Sequence, residues 1–219
     1  MSAVISERAG WWFVSISVAM EYETPHHDGG TVGIDLGLKT LATLSSGEVF
    51  ENQRYYRKGL GRIKGLSKGL SRKVEGSKNW YKNVRKLARA HYCVANQRAD
   101  TLHNMTTHIA RTYKLIGMED LSTKGMLAHH TLAQAVSDAS FFETQRQLVY
   151  KSDFYGSSIQ LVDRWYPSSK TCNVCGWVKE DLTRADRAWT CEECHTHHAR
   201  DLNAARNIEA EALRLVTDD

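Results

Sequence analysis

The sequence predicts an α/β fold: a mixed sheet flanked by helices, with a small cysteine-rich insert near the end of the chain. Three observations predict it. Short apolar runs bounded by glycine or turn residues alternate with longer stretches whose apolar residues recur at every third and fourth position. Four of the five cysteines crowd into residues 172–194 with the spacing C-x2-C-x15-C-x2-C. A hydrophobic share of 42%, a charged share of 25% and only two prolines suit a chain that buries a core without long disordered linkers. At 219 residues, one ordinary domain and a small appendage fit.

The elements follow in order. WWFVSISVAM at 11–20 alternates like a strand and is about half the ~20 apolar residues that a bilayer span needs. TVGIDLG at 31–37, KTLATLS at 39–45 and EVFEN at 48–52, the last after a Ser46-Gly47 turn, read as three short strands in a meander. Helical patterns cover about 54–73 and 79–112, separated by VEGSKN. In the second, Trp80, Val84, Leu87, His91, Val94, Leu102, Met105 and Ile109 mark the apolar face, and Cys93 reads as a packed thiol. KLIGME at 114–119 is a strand ending at Glu119; DASFFETQRQLVYKSDFYG is a helix stopped by Gly156; SIQLVDRWY is a further strand. DLNAARNIEAEALRLV closes the chain as a helix with Leu202, Ala205, Ile208, Ala212 and Leu215 on one face.

Charge is unevenly spread. Residues 54–98 hold 14 Lys and Arg against the single acid Glu75, a local +13, while the whole chain sums to +4. So dense a block near aromatics fits the phosphate backbone of a nucleic acid, with Arg72, Lys73, Lys78, Lys82, Arg85, Lys86 and Arg89 as candidate contacts. A membrane-surface helix needs a wide apolar face, which these stretches lack. No signal-peptide pattern is present, so a cytoplasmic setting is expected, where paired cysteines bind metal rather than form disulfides.

Cys172, Cys175, Cys191 and Cys194 have the spacing of a structural zinc site. Each C-x-x-C turn aims two thiolates at one ion, and four thiolates close a tetrahedral shell. His195, His197 and His198 form a rival ligand set, and Trp177 and Trp189 are available to cover the knuckle.

The order of strands and helices is that of the RNase H-like α/β fold. In that fold Asp35 in the first core strand, Glu119 at the end of the fourth, and Asp201 at the start of the last helix would converge. Grouped carboxylates supply the hard oxygen ligands that two-metal phosphodiester hydrolysis requires. Each acid alone is also explicable as a turn residue, a surface charge or a helix N-terminal acid.

GIDLGLKTLATLSSG, SRKVEGSKN, GMEDLSTKGM, DRWYPSSKTCNVCG and RDLNAARNI, in this order, resemble the C-terminal half of the TnpB (OrfB) nucleases of insertion sequences, relatives of the type V CRISPR effectors. The resemblance runs from about residue 31 to the end. It implies a RuvC-type centre of Asp35, Glu119 and Asp201 with two Mg2+ or Mn2+ ions, one structural Zn2+ on the four cysteines, and DNA as substrate. Guide RNA is implied as a partner where an N-terminal half is present or supplied. The implied organisation is a remnant strand region at 1–30, a nuclease core at 31–166 that includes the basic helical pair 54–112, a zinc ribbon at 167–198, and a closing segment at 199–219. RAGWWFVSISVAM resembles the last strand of a barrel left without its partners, which makes a truncated chain the expectation. Three readings therefore stand: a metal-dependent endonuclease, a remnant that binds nucleic acid without cutting it, and a structural zinc protein unrelated to DNA, which leaves the basic block at 54–98 unexplained.

Overall fold

The computed structural model describes residues 1–183 and 185–218, so the expected ranges 167–198 and 199–219 each include one residue outside the described set. The chain divides into two compact units, residues 1–23 with 54–101 and residues 24–53 with 102 onward.

In the first unit, β1 (Ser2–Arg8) and β2 (Trp11–Ser17) form an antiparallel hairpin with Arg8 opposite Trp11. The two turn residues, Ala9 and Gly10, both have positive φ, at 55° and 77°. That geometry matches the right-handed twist of the strands. The expected lone strand thus has a partner; Ala-Gly is a weaker turn signal than Asn-Gly, and SAVISER alternates poorly. Helix α1 (Tyr55–Leu70) lies antiparallel to the first part of α2 (Lys78–Thr112). Ile63 packs on Ala90 and Val94, Tyr55 Oη and Thr101 Oγ1 are 3.0 Å apart, and Asn83 Nδ2 donates to the Leu66 carbonyl at 2.8 Å. Ser77 caps α2, its hydroxyl accepting from the Trp80 amide at 3.1 Å. The seam runs through Leu87, Ala90 and Val94, so Cys93 and His91, both expected to pack, are rotated off it and exposed.

The second unit is built on a five-stranded mixed sheet of order β5-β4-β3-β6-β7. Strands β3 (Thr31–Leu36), β4 (Thr40–Leu44) and β5 (Val49–Glu51) form the expected meander, and β6 (Leu115–Glu119) and β7 (Ser158–Val162) add in parallel. Strand β7 ends before Arg164-Trp165-Tyr166 because Asp163 Oδ1 takes the Trp165 amide at 2.7 Å and turns the chain.

Alternation gives the sheet two different faces. Val32, Ile34, Ile116 and Met118 point to one, where they pack with Leu102, Met105 and Ile109 of α2 and Phe141 and Leu148 of α5 (Phe141–Tyr155). Two short helices, α3 (Thr123–Ala128) and α4 (Ala133–Ala139), precede α5. Asp138 and Ala139, expected in the α5 helix, instead close α4, and Ser140 at φ 55° breaks the two apart.

The other face carries Gly33, Asp35, Gly117 and Glu119 and is covered by α6 (Arg200–Thr217). Gly33 and Gly117 are register partners on β3 and β6. A Cβ at Gly33 would stand 2.0 Å from the Ala205 carbonyl oxygen, and one at Gly117 would stand 2.6 Å from Ala212 Cβ. The helix answers with small or compact residues: Ala204, Ala205, Ile208 and Ala212 are fully buried. Two short strands, β8 (Ala188–Thr190) and β9 (His197–Ala199), pair antiparallel just before α6.

Gly33→Ala is therefore expected to cost about 3 kcal/mol or more, because the new methyl meets backbone that cannot rotate away. Gly30→Ala, which meets nothing within 4 Å, should be close to neutral. Urea denaturation midpoints of the two variants test this, and equal midpoints would refute the seating of α6.

Candidate active site and metal centre

The last β3–β6 register pair is Ile34 with Met118, so the next residues, Asp35 and Glu119, are neighbours at the carboxyl ends of adjacent parallel strands. Both point to the α6 face. Asp201 lies in the first turn of α6, whose close approach at Gly33 and Gly117 carries it to the same edge. Three separate elements thus bring the three predicted acids together.

Burial pushes the Asp35 carboxyl up to about 8, and the neighbouring Glu119 and Asp201 carboxylates add to the rise. Arg200 and Arg187 pull in the opposite direction. Glu119 is also raised by burial, against a Ser168 hydroxyl that donates to its Oε1 at 2.5 Å. Asp201 Oδ1 accepts from Arg200 at 2.9 Å and lies 4.0 Å from Arg187. Like charges held together at low dielectric create a demand for positive charge, which two arginines meet in part and a divalent cation would meet more fully. Hard oxygen donors suit Mg2+ or Mn2+.

Arg187, Arg200 and Ser168 were not among the sequence-predicted site residues. An arginine beside an aspartate at a helix start is too common to signal anything. Arg187 reaches the site only because β8 pairs with β9, where the Arg200 amide donates to the Arg187 carbonyl at 2.9 Å.

The four cysteines behave as their spacing predicts: their Sγ atoms all lie within 4.8 Å of one another. Among the described residues this tetrad is the group of His, Cys, Asp and Glu ligand atoms gathered tightly enough for a shared ion; the three acids do not form a second such group. The two C-x-x-C turns are built alike. Gly176 at φ 80° follows Cys175, and its amide donates to the Cys172 carbonyl at 2.9 Å. His195 at φ 58° follows Cys194, and its amide donates to the Cys191 carbonyl at 3.0 Å. Trp189 is buried against Cys172 and Cys191, with Trp177 beside them. A sulfur-only tetrahedral set suits Zn2+ and leaves no open position. His198 is buried with its Nε2 3.1 Å from Cys172 Sγ, in place to donate to that sulfur, whereas His197 pairs with Thr190 Oγ1 at 3.1 Å.

The candidate nucleic-acid contacts are all exposed: Arg72 and Lys73 between α1 and α2, and Lys78, Lys82, Arg85, Lys86 and Arg89 along one side of α2. Two of them also serve the hairpin. Arg85 lies over Gly10, and Arg89 donates to the Ala9 carbonyl at 3.3 Å with its guanidinium 5.0 Å from the Trp11 ring centroid. No helix among the described residues is long and apolar enough to cross a membrane.

Residues 141–208 match the model of the Cas12f1-like TNB domain. Among curated proteins, the chain is 40% identical over 210 residues to a "Putative RNA-guided DNA endonuclease" of Streptomyces pristinaespiralis, covering 96% of this chain and 52% of that protein. It is 34% identical over 225 residues to the "Putative RNA-guided DNA endonuclease InsQ" of Escherichia coli K12, covering 95% of this chain and 56% of that protein. The chain thus spans about half the length of these relatives. In fold it is similar to a chain of a Cas12f1-sgRNA-target DNA complex solved by cryo-EM, with a TM-score of 0.58 at 18% identity over 94% of this chain and 55% of that one. The family model OrfB_IS605, described as a probable transposase, matches residues 15–129, more than half of the sequence, and the chain belongs to that family.

Proposed function

We propose that this chain carries the RuvC-type acid centre and zinc ribbon of a metal-dependent DNA endonuclease of the TnpB type, guided by RNA where guide-reading parts are present or supplied. The observation that carries this reading is the meeting of Asp35, Glu119 and Asp201 on the α6 face of the sheet. Similarity to proteins named RNA-guided DNA endonucleases supports the substrate class. In the proposed division of labour, residues 31–166 and 199–219 form the nuclease core, 167–198 the ribbon, and 1–30 a remnant strand region.

Bound divalent ions would supply an activated water and stabilise the leaving oxygen. The chain's residues do the rest. Asp35, Glu119 and Asp201 would hold the ions through carboxylate oxygens, and Ser168 orients Glu119 by its hydrogen bond. Arg187 and Arg200 place positive charge beside Asp201, where a phosphodiester would arrive. The exposed basic side of α2 would hold backbone phosphates. A second reading, binding without cleavage, is favoured by the Arg200–Asp201 ion pair and by the absence of a second tight ligand group among the described residues.

Cleavage of single-stranded DNA in Mg2+ or Mn2+ separates the two. Asp35→Asn, Glu119→Gln and Asp201→Asn should each reduce cleavage to background while leaving nucleic-acid affinity unchanged, since each removes a cation ligand and no phosphate contact. Full activity in any one of them would remove that residue from the centre.

Asp35 also makes stability depend on pH. Its folded value, about 8, lies above the ordinary 3.8, so the fold holds the proton that the unfolded chain gives up. The associated stability is present below about pH 4 and is lost as pH rises through about 8. Without added divalent cation, thermal melts from about pH 5 to pH 9 should fall more steeply for the wild type than for Asp35→Asn. Parallel curves would contradict it.

For the ribbon, Cys191→Ser should abolish zinc binding while circular dichroism of the remaining chain changes little, because metal binding supplies the folding free energy of so small an insert. Elemental analysis should read about one zinc per wild-type chain and none in the variant. Unchanged zinc in Cys191→Ser would move the site to a histidine-containing set.

A further inference from the structure

We infer that Asn203, Asn207 and Ser168 are positioning residues that couple metal occupancy of the cysteine site to cation binding at the acid centre. The inference rests on the acid-centre reading proposed above and adds to it a dependence on the zinc ribbon.

Asn203 and Asn207 stand one turn apart on α6, at 2% and 5% exposure, on a face otherwise made of alanine and isoleucine. Two amides there would be costly unless fully paired. They are paired to the loop that runs from β7 into the first cysteine turn. Asn207 Nδ2 donates to the carbonyls of Ser168 at 2.7 Å and Thr171 at 2.6 Å. Asn203 Nδ2 donates to Thr171 at 2.7 Å and, more weakly, to Ser168 at 3.4 Å. Two amide groups offer four N–H bonds and two carbonyls offer four lone pairs, so the set closes on itself. Asn203 Oδ1 then accepts the amide of Asn173, the residue after Cys172, at 3.0 Å.

The loop so held has a task at each end. At one end the Ser168 side chain, itself buried, donates to Glu119 Oε1 at 2.5 Å. At the other end Cys172 sits within the thiolate group. A continuous line of bonds therefore runs from Cys172 through Asn173, Asn203 and the Ser168 loop to Glu119, all inside one compact unit. With zinc bound, the Cys172 turn is rigid and the loop is anchored at both ends. With zinc gone, the ribbon loses its folding free energy, the amides lose fixed partners, and Ser168 no longer fixes the Glu119 carboxylate. Partners of metal ligands typically alter metal affinity by 10–100-fold when removed. Because linkage is reciprocal, a cation on the acids should tighten zinc by the same factor.

The test is a Mn2+ titration of the 219-residue chain, following the electron paramagnetic resonance signal of free Mn2+, with zinc content measured on each sample. Zinc-free Cys175→Ser is expected to bind Mn2+ about tenfold more weakly than the zinc-loaded wild type. Asn207→Leu and the milder Ser168→Ala should show a similar loss while keeping zinc at the wild-type level. Adding Cys175→Ser to Asn207→Leu should give no further loss, which a merely structural role would not produce. Mn2+ affinity that is indifferent to zinc, to Ser168→Ala and to Asn207→Leu, yet abolished by Asp35→Asn, overturns the coupling alone. Wild-type chain that binds no Mn2+, or binds it equally well as Asp35→Asn, overturns the acid-centre reading itself.

Discussion

The contact on which the rest of the second unit depends is the seating of α6 directly on the backbone of β3 and β6, through the paired glycines Gly33 and Gly117. Without side chains at those two points, the helix axis drops toward the sheet until Ala205 and Ala212 touch the strands. The consequence is chemical as much as mechanical. Asp35 and Glu119 follow the glycines by two residues on their strands, and Asp201 starts the helix, so the close approach is what brings three carboxylates to one edge. A helix held away by larger side chains would leave Asp201 in solvent.

That arrangement stores unfavourable electrostatics, and the opposite face of the sheet supports it. Asp35 is driven toward its neutral form by burial and by its acid neighbours, with Arg200 and Arg187 in opposition. Stability must come from the apolar layer of Ile34, Met118, Met105, Ile109 and Leu148 on the other side. Even there a charge is buried. Lys151 on α5 donates to the His103 carbonyl and to the hydroxyls of Thr106 and Thr107 at 2.7–2.9 Å, and burial lowers its pKa. Its three N–H donors are all met by neutral oxygens, which ties α5 to α2 by direction as well as by packing.

The cysteine knuckles show how one backbone geometry can be reached from different residues. Both turns place a residue in the left-handed region directly after the second cysteine, and the chain uses Gly176 in one and His195 in the other. Only glycine is free of strain there, so the histidine turn relies on its surroundings. Cys191 receives the His195 amide through its carbonyl, and the Cys191 amide donates to the Thr196 carbonyl at 2.9 Å, closing that turn tightly.

What the sequence determined by itself was local and periodic. The strand meander, the long α2, the Glu119 strand, the α6 helix and the metal-ligand spacing of the four cysteines were legible because each is a pattern of near neighbours, and DLNAARNI placed Asp201 at a helix start. What lay beyond it was whatever depends on residues distant in the chain. The partner of β2, the break at Ser140, the exposure of Cys93, the arginines beside Asp201 and the pairing of Asn203 and Asn207 with the Ser168 loop were decided only in the tertiary structure. The two asparagines show why. Within the helix they interrupt an apolar face and carry no sign of purpose, since the carbonyls that satisfy them lie about three dozen residues earlier and come within reach only once Gly33 and Gly117 have let α6 down onto the sheet.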